Sequence, residues 1–131
     1  MADLTAKSQP VDSRLPAYRM AFLLIASGLG HFAAPGRFDA AIPAELPGDV
    51  RTYTHVSGVV EVAIGALLLL RRTRRAGALS AAVFFILIAP AIVNGVRLAS
   101  GKGVLPMLVA TARLPLHVAM VSQAVMILRN A

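Results

Sequence analysis

Two opposite charges lie deep within apolar segments of the chain: Glu61 in VSGVVEVAIGALLLL and Arg113 in LVATARLPLHVAMV. In hydrocarbon, a lone acidic or arginine side chain costs on the order of 3 kcal/mol. Facing each other, the two exchange charge-assisted hydrogen bonds instead, so they are expected to pair. Such a pair can fix which helix packs on which, or it can serve a ligand. Further polar side chains punctuate the same apolar runs. His31, His55 and Asn94 sit near the ends of their segments, and His117 lies one helical turn beyond Arg113, on the same face.

Three histidines and a glutamate are suitable atoms for zinc or iron, but no two of these histidines share a helix at ligand spacing. His117 also adjoins a cation. No metal site is therefore expected. A quinone or another flat apolar molecule suits the set better, since it needs an apolar slot with one or two hydrogen bonders. Glu61, Arg113, His117 and His31 are the residues expected to line such a slot, with Asn94 and His55 beside them. The chain has no cysteine, which removes disulfides, thiolate metal ligation and thiol–disulfide exchange.

The elements that must position these residues are membrane helices. With 57% hydrophobic and 15% charged residues and a mean hydropathy of +0.73, a domain of 131 residues cannot hide its apolar surface from water alone. The reading is an all-α integral membrane four-helix bundle, a single domain over residues 15–131 behind a polar tail of residues 1–14. The spans run roughly over 15–33, 53–70, 76–96 and 105–128, close to the ~20 residues a bilayer requires. The first is read as a retained helix rather than a cleaved signal peptide, since its apolar run continues through Gly28, Gly30 and His31. Pro90 and Pro115 fall inside the third and fourth spans, where a neighbouring group must satisfy any carbonyl they free. Small residues such as Gly28, Gly58 and Gly65 allow close helix approach. Counted from the ends of their spans, Glu61 and Arg113 reach similar depths of about 12–13 Å.

The net charge of +7 is concentrated between apolar runs, above all in Arg71-Arg72-Thr73-Arg74-Arg75, and is not interleaved with aromatics. That pattern fits a cytoplasmic loop against anionic lipid and argues against nucleic acid. The positive-inside rule then puts both termini in the cytoplasm and turns the loops at 34–52 and 97–104 outward, in a multi-pass protein of a bacterial plasma (inner) membrane. Within the first outer loop, residues 40–46 are read either as a short interfacial helix or as an ordered covering loop.

Taken together, GLGHF (28–32), FDAAIPAELP (38–47), SGVVEVAIGALLLL (57–70), RTRRAGAL (72–79) and RLPLH (113–117) resemble the DoxX-like family of small four-helix membrane proteins. The resemblance spans nearly all of the chain after residue 15. It implies functional-type residues at Glu61, Arg113 and His31. The chain departs from the family pattern at Asn94, two residues beyond the position a Pro-Ala-Asn element would give it, and at His117, which stands where a glutamine is expected. Some members of that family are associated with membrane redox. The expectation is therefore an accessory subunit of a quinone-linked redox complex, held in the bilayer by a larger membrane partner or as a homo-oligomer, without catalytic activity of its own. The alternatives are a quinone-binding protein or enzyme built on the Glu–Arg–His cluster, and a carrier of protons or small solutes built on Glu61.

Overall fold

The computed structural model describes residues 12–131, so most of the polar tail lies outside the described residues. The described chain is all-helical, in the order α1 (Arg14–Ala33), α2 (Pro35–Asp39), α3 (Val50–Leu69), α4 (Arg74–Leu87), α5 (Ala89–Ala99) and α6 (Val104–Asn130). Three helical stretches are long and apolar enough to cross a membrane: Val50–Leu69, Arg74–Ala99 and Val104–Asn130. α1 has 20 residues but carries Arg14 and Arg19, and is not one of the three.

Local chemistry explains the breaks. Proline disfavours helix in the residue before it and is pre-organised for a first helical position. Pro35 accordingly stops α1 and opens α2. The short helix between α1 and α3 is therefore Pro35–Asp39, whereas residues 40–46, the stretch considered for an interfacial helix, form successive turns. The third apolar run divides at Ile88, just before Pro90. α6, by contrast, runs unbroken through Pro115.

The α3–α4 turn has its own internal logic. The last carbonyls of a helix have no partner within it and carry the negative end of its dipole. Thr73 Oγ1 donates to Leu67 O at 2.8 Å, Arg74 Nε to Leu68 O at 3.0 Å and Arg74 Nη2 to Leu69 O at 3.4 Å. Arg74 is 5% exposed, and its guanidinium lies 5.1 Å from the centre of the Tyr18 ring. One member of the arginine cluster is thus a buried helix cap rather than a lipid-facing charge; Arg71, Arg72 and Arg75 remain exposed.

α1 and α3 pack closely and antiparallel, α4 lies against α3, and α6 packs on α4 and α5 with a lighter contact to α1. α3 and α6 do not form a packed pair. Ala17, Leu24, Leu68, Ala81, Phe85 and Ile127 belong to an apolar core. α6 contributes little to it. Only Ala110, Ala124 and Ile127 of its residues are buried, and Val104, Leu105, Leu108, Leu116 and Val118 stand well exposed.

The Arg74 cap is expected to be the most stabilising feature of the arginine turn. Arg74→Ala should lower unfolding free energy in detergent by about 1.5–3 kcal/mol, the range for hydrogen bonds to charged groups. Arg72→Ala, an exposed change one turn residue away, should stay within about 0.5 kcal/mol. Denaturant titrations of the two variants followed by circular dichroism check the contrast.

Candidate functional site

The site begins with a seam in which two backbones touch. On α3 the buried residues are Thr54, Gly58, Glu61, Ile64, Gly65 and Leu68; on α1 they are Ala17, Met20, Ala21, Leu24, Gly28 and His31. Both sets recur at intervals of three and four, so each helix turns one stripe to the other. The stripes have glycines where they cross. A Cβ on Gly28 would lie 2.7 Å from Gly58 O, and one on Gly58 would lie 2.8 Å from His31 Cβ and 2.9 Å from Gly28 O. Further along, a Cβ on Gly65 would meet Ile25 Cγ1 at 2.5 Å. Only residues without a side chain permit this approach.

That approach sets His31 beside Glu61. The residues are 7% and 6% exposed, and His31 Nδ1 lies 3.7 Å from Glu61 Oε2. His31 Nδ1 donates to Ser27 O, one turn back on α1, at 2.8 Å. The ring proton is therefore directed at a carbonyl, and Glu61 Oε2 is buried with no hydrogen-bond partner among the described residues. The His31 ring stacks on Phe38 of α2, with centroids 3.7 Å apart. A buried acid with a free oxygen next to an imidazole can hold a proton, accept a hydrogen bond or bind a small cationic group.

α2 closes over this pair and is itself tied down. Asp39 accepts from the Thr54 hydroxyl and from Arg51 Nε at 2.8 Å, which joins α2 to the first turns of α3. The Thr54 hydrogen bond, reinforced by Arg51, holds the Asp39 carboxyl below the usual carboxylate range. His55 stacks on Phe32 at 5.2 Å and is half-buried. Farther round the same end, Asn94 Nδ2 donates to Ala41 O at 3.1 Å, Asn94 Oδ1 accepts from Arg97 at 2.6 Å, and Arg97 reaches Glu45 at 3.1 Å. Asn94 thus secures the connecting loop.

The predicted Glu61–Arg113 pair does not form. Glu61 looks at α1, its ion-pair partner is His31, and Arg113 is exposed with no ion pair among the described residues. The physical reason is which helices are neighbours and which sides they turn to each other: equal depth places two residues at one level, but α3 and α6 do not pack together. Arg113 instead borders a groove of about 320 Å³ between α5 and α6, walled by Ile92, Gly95, Leu105, Pro106, Val109 and Ala110. His117 is elsewhere again. Its Nε2 donates to Phe85 O at 2.6 Å, in the last turn of α4 beside the break before Pro90. That is the external partner which a broken helix in lipid requires.

Of the six residues singled out from sequence, the structure brings only Glu61 and His31 together. Asn94 and His117 are occupied with backbone, His55 packs on Phe32, and Arg113 stands apart. Sequence reasoning took Ser27 only as a small packing residue and missed Asp39, Thr54 and the capping role of Arg74. Ser27 had a legible signal, being one helical turn from His31 on the glycine-bearing stripe.

A family model described as a domain of unknown function, DUF8561, matches residues 20–128, and the chain belongs to that family. Neither a curated protein nor a solved structure matches the chain.

The seam predicts that Gly58→Ala forces α1 away from α3, since the atoms it meets are backbone and the root of a side chain. The expected loss is about 1–3 kcal/mol, as for other overpacked cores. Gly36→Ala, where a Cβ meets nothing within 4 Å, is the matched control and should not destabilise. Thermal unfolding in detergent distinguishes them. The Asp39 link predicts a pH effect of defined sign. Its depressed carboxyl adds stability that is fully present above the usual carboxylate value and lost as the pH falls through Asp39's own lower value. Acid should therefore loosen α2, seen as loss of the ring-current shift that Phe38 imposes on His31, and Asp39→Asn should loosen it at neutral pH.

Proposed function

We propose that the chain is a four-span, DoxX-like membrane protein that serves as an accessory subunit of a larger membrane complex, docking through α6. The observation that carries this reading is Arg113. It lies nine residues into α6, about 13–14 Å along the helix, exposed and with no ion pair among the described residues. A guanidinium at that depth is costly against acyl chains. α6 is apolar on every side and leaves most of its surface uncovered. A helix of that kind belongs in the interior of a larger assembly or in a membrane. Both properties fit a partner helix that covers α6 and offers a carboxylate or carbonyls to Arg113.

α1 completes the bundle as its fourth span, with Arg14 and Arg19 near its start able to snorkel toward headgroups. The exposed arginines of the α3–α4 turn support a reading with both termini on the cytoplasmic side of a bacterial inner membrane. The DoxX-like resemblance makes a quinone-linked redox complex the natural assembly. A second reading, a binder of quinone-like molecules, is favoured by the α5–α6 groove. Its walls are apolar and its one strong donor is Arg113, the arrangement a carbonyl-bearing ring needs.

The absence of native cysteine makes the docking test clean. Leu108→Cys and Leu116→Cys on α6 should crosslink in native membranes to a larger protein, whereas Phe22→Cys on α1 should not. Arg113→Leu should abolish the adduct, and Arg113→Lys should weaken it because the planar fork is lost. Adducts of twice the chain's own mass would replace the hetero-complex with self-association. No α6 adduct, together with quinone protection of Arg113 from a guanidine-directed reagent, would favour the ligand-binding reading.

A further inference from the structure

We infer that Glu61 and His31 form a proton-exchange site, in which Glu61 stores the proton and His31 connects it to the surface under α2. The inference rests on the α1–α3 seam and is independent of α6 docking.

The geometry supplies both halves of such a site. Glu61 Oε2 is buried and has no hydrogen-bond partner among the described residues, so it has an unused place for a proton. Its neighbour at 3.7 Å is a nitrogen that already carries one, since Nδ1 donates to Ser27 O. A ring movement of about 1 Å brings that nitrogen within ordinary hydrogen-bond distance of the carboxylate. His31 Nε2, at the far side of the ring, has no hydrogen-bond partner among the described residues, and the ring stacks on Phe38 of α2.

The proton count closes. A hydronium ion gives its proton to His31 Nε2, and the imidazolium gives its Nδ1 proton to Glu61 Oε2. The products are water, a neutral carboxylic acid and a neutral imidazole bearing its proton on Nε2. Reversal returns the proton to the same side. A ring flip, or proton exchange at the two nitrogens, restores the starting tautomer.

The other charged groups near the seam do not neutralise Glu61. From α2 the titratable group is Asp39, bound to Thr54 and Arg51. From α3 itself it is His55, stacked on Phe32. From α4 it is Arg74, which caps Leu68 and Leu69 at the opposite end. α6 brings no ion-pair partner to Glu61. With no cation but His31 at hand among the described residues, an ionised Glu61 beside a neutral imidazole has only the Ser27 hydroxyl to offset its burial, and proton uptake removes the charge.

The chain has only two glutamates, Glu45 and Glu61, which makes the test direct. Glu45 is on the surface, with its side chain 65% exposed. Full-length Glu45→Gln protein, labelled with carboxyl-13C glutamate and held in lipid nanodiscs, therefore reports on Glu61 alone with its surroundings intact. The expected result is a carboxyl resonance that moves from the protonated to the ionised position in one transition as the pH rises. His31→Asn should shift that transition and slow hydrogen–deuterium exchange at the carboxyl. Should His31→Asn fail to fold, 15N-histidine spectra of the otherwise unaltered protein should show the His31 ring changing protonation or tautomer over the same transition. A Glu61 signal fixed at the ionised position at every pH would overturn the inference. So would a transition to which His31 is indifferent in either measurement.

Discussion

The contact on which the rest depends is backbone against backbone, where α1 crosses α3 at Gly28 and Gly58. Hydrocarbon gives apolar side chains little reason to prefer one another over lipid, so helices in a membrane gain mainly from close van der Waals packing. Glycine provides it by letting main chains meet. Here the consequence is chemical as well as mechanical. A Gly58 side chain would strike His31 Cβ, so the glycine that joins the helices is also what lets the imidazole lie against Glu61. The polar pair and the helix seam are one structure.

The polar side chains in and around the apolar spans divide by what occupies them. Arg74 and Thr73 are spent on the end of α3, His117 on the end of α4, and Asn94 on the loop before α3. Each answers a backbone group that lipid could not satisfy, which is sufficient reason for its presence. Glu61 and Arg113 remain. Among the described residues, one has a carboxylate oxygen without a hydrogen-bond partner and the other a guanidinium with no ion pair, and both exceed what the fold requires. They also lie apart, because α3 turns its polar stripe toward α1 while α6 packs on α4 and α5. The molecule therefore has two separate sites of unspent polar capacity, one enclosed and one open.

How much of this could be read from sequence follows from what sequence encodes. The apolar runs located α3, the divided α4–α5 and α6 to within a few residues, because length and hydropathy are one-dimensional. Pro90 announced a break and the need for a donor, and the structure supplies His117. The Glu61–Arg113 pairing failed because counting residues gives height along a helix and not rotation about it. For Glu61 the rotation was legible after all. Thr54, Gly58, Gly65 and Leu68 share its stripe, and the matching small-residue stripe on α1 ends in His31. For Arg113 it was not, since α6 is apolar all round and no face is marked as inner. Arg74 was hidden among look-alikes: four arginines in five residues give no hint which one folds back onto the helix before it.

The open site constrains what can cover it. Apart from Glu61, the acids of this chain are Asp3 and Asp12 before α1, Asp39 in α2, and Glu45 and Asp49 in the following loop. None lies within a long apolar helix, and Glu61 itself is enclosed against α1. A second copy therefore brings Arg113 no anion at its own depth. A symmetric contact centred on this face would moreover set two guanidinium groups toward one another, which a low-dielectric setting penalises. On the docking proposed above, neutralisation comes from a different molecule. A partner helix with a carboxylate, or one exposing carbonyls at a break of its own, meets the requirement and covers the apolar surface of α6 in the same step. On the docking proposed above, charge favours a hetero-complex where hydrophobicity alone would accept any greasy neighbour, including this protein's own twin.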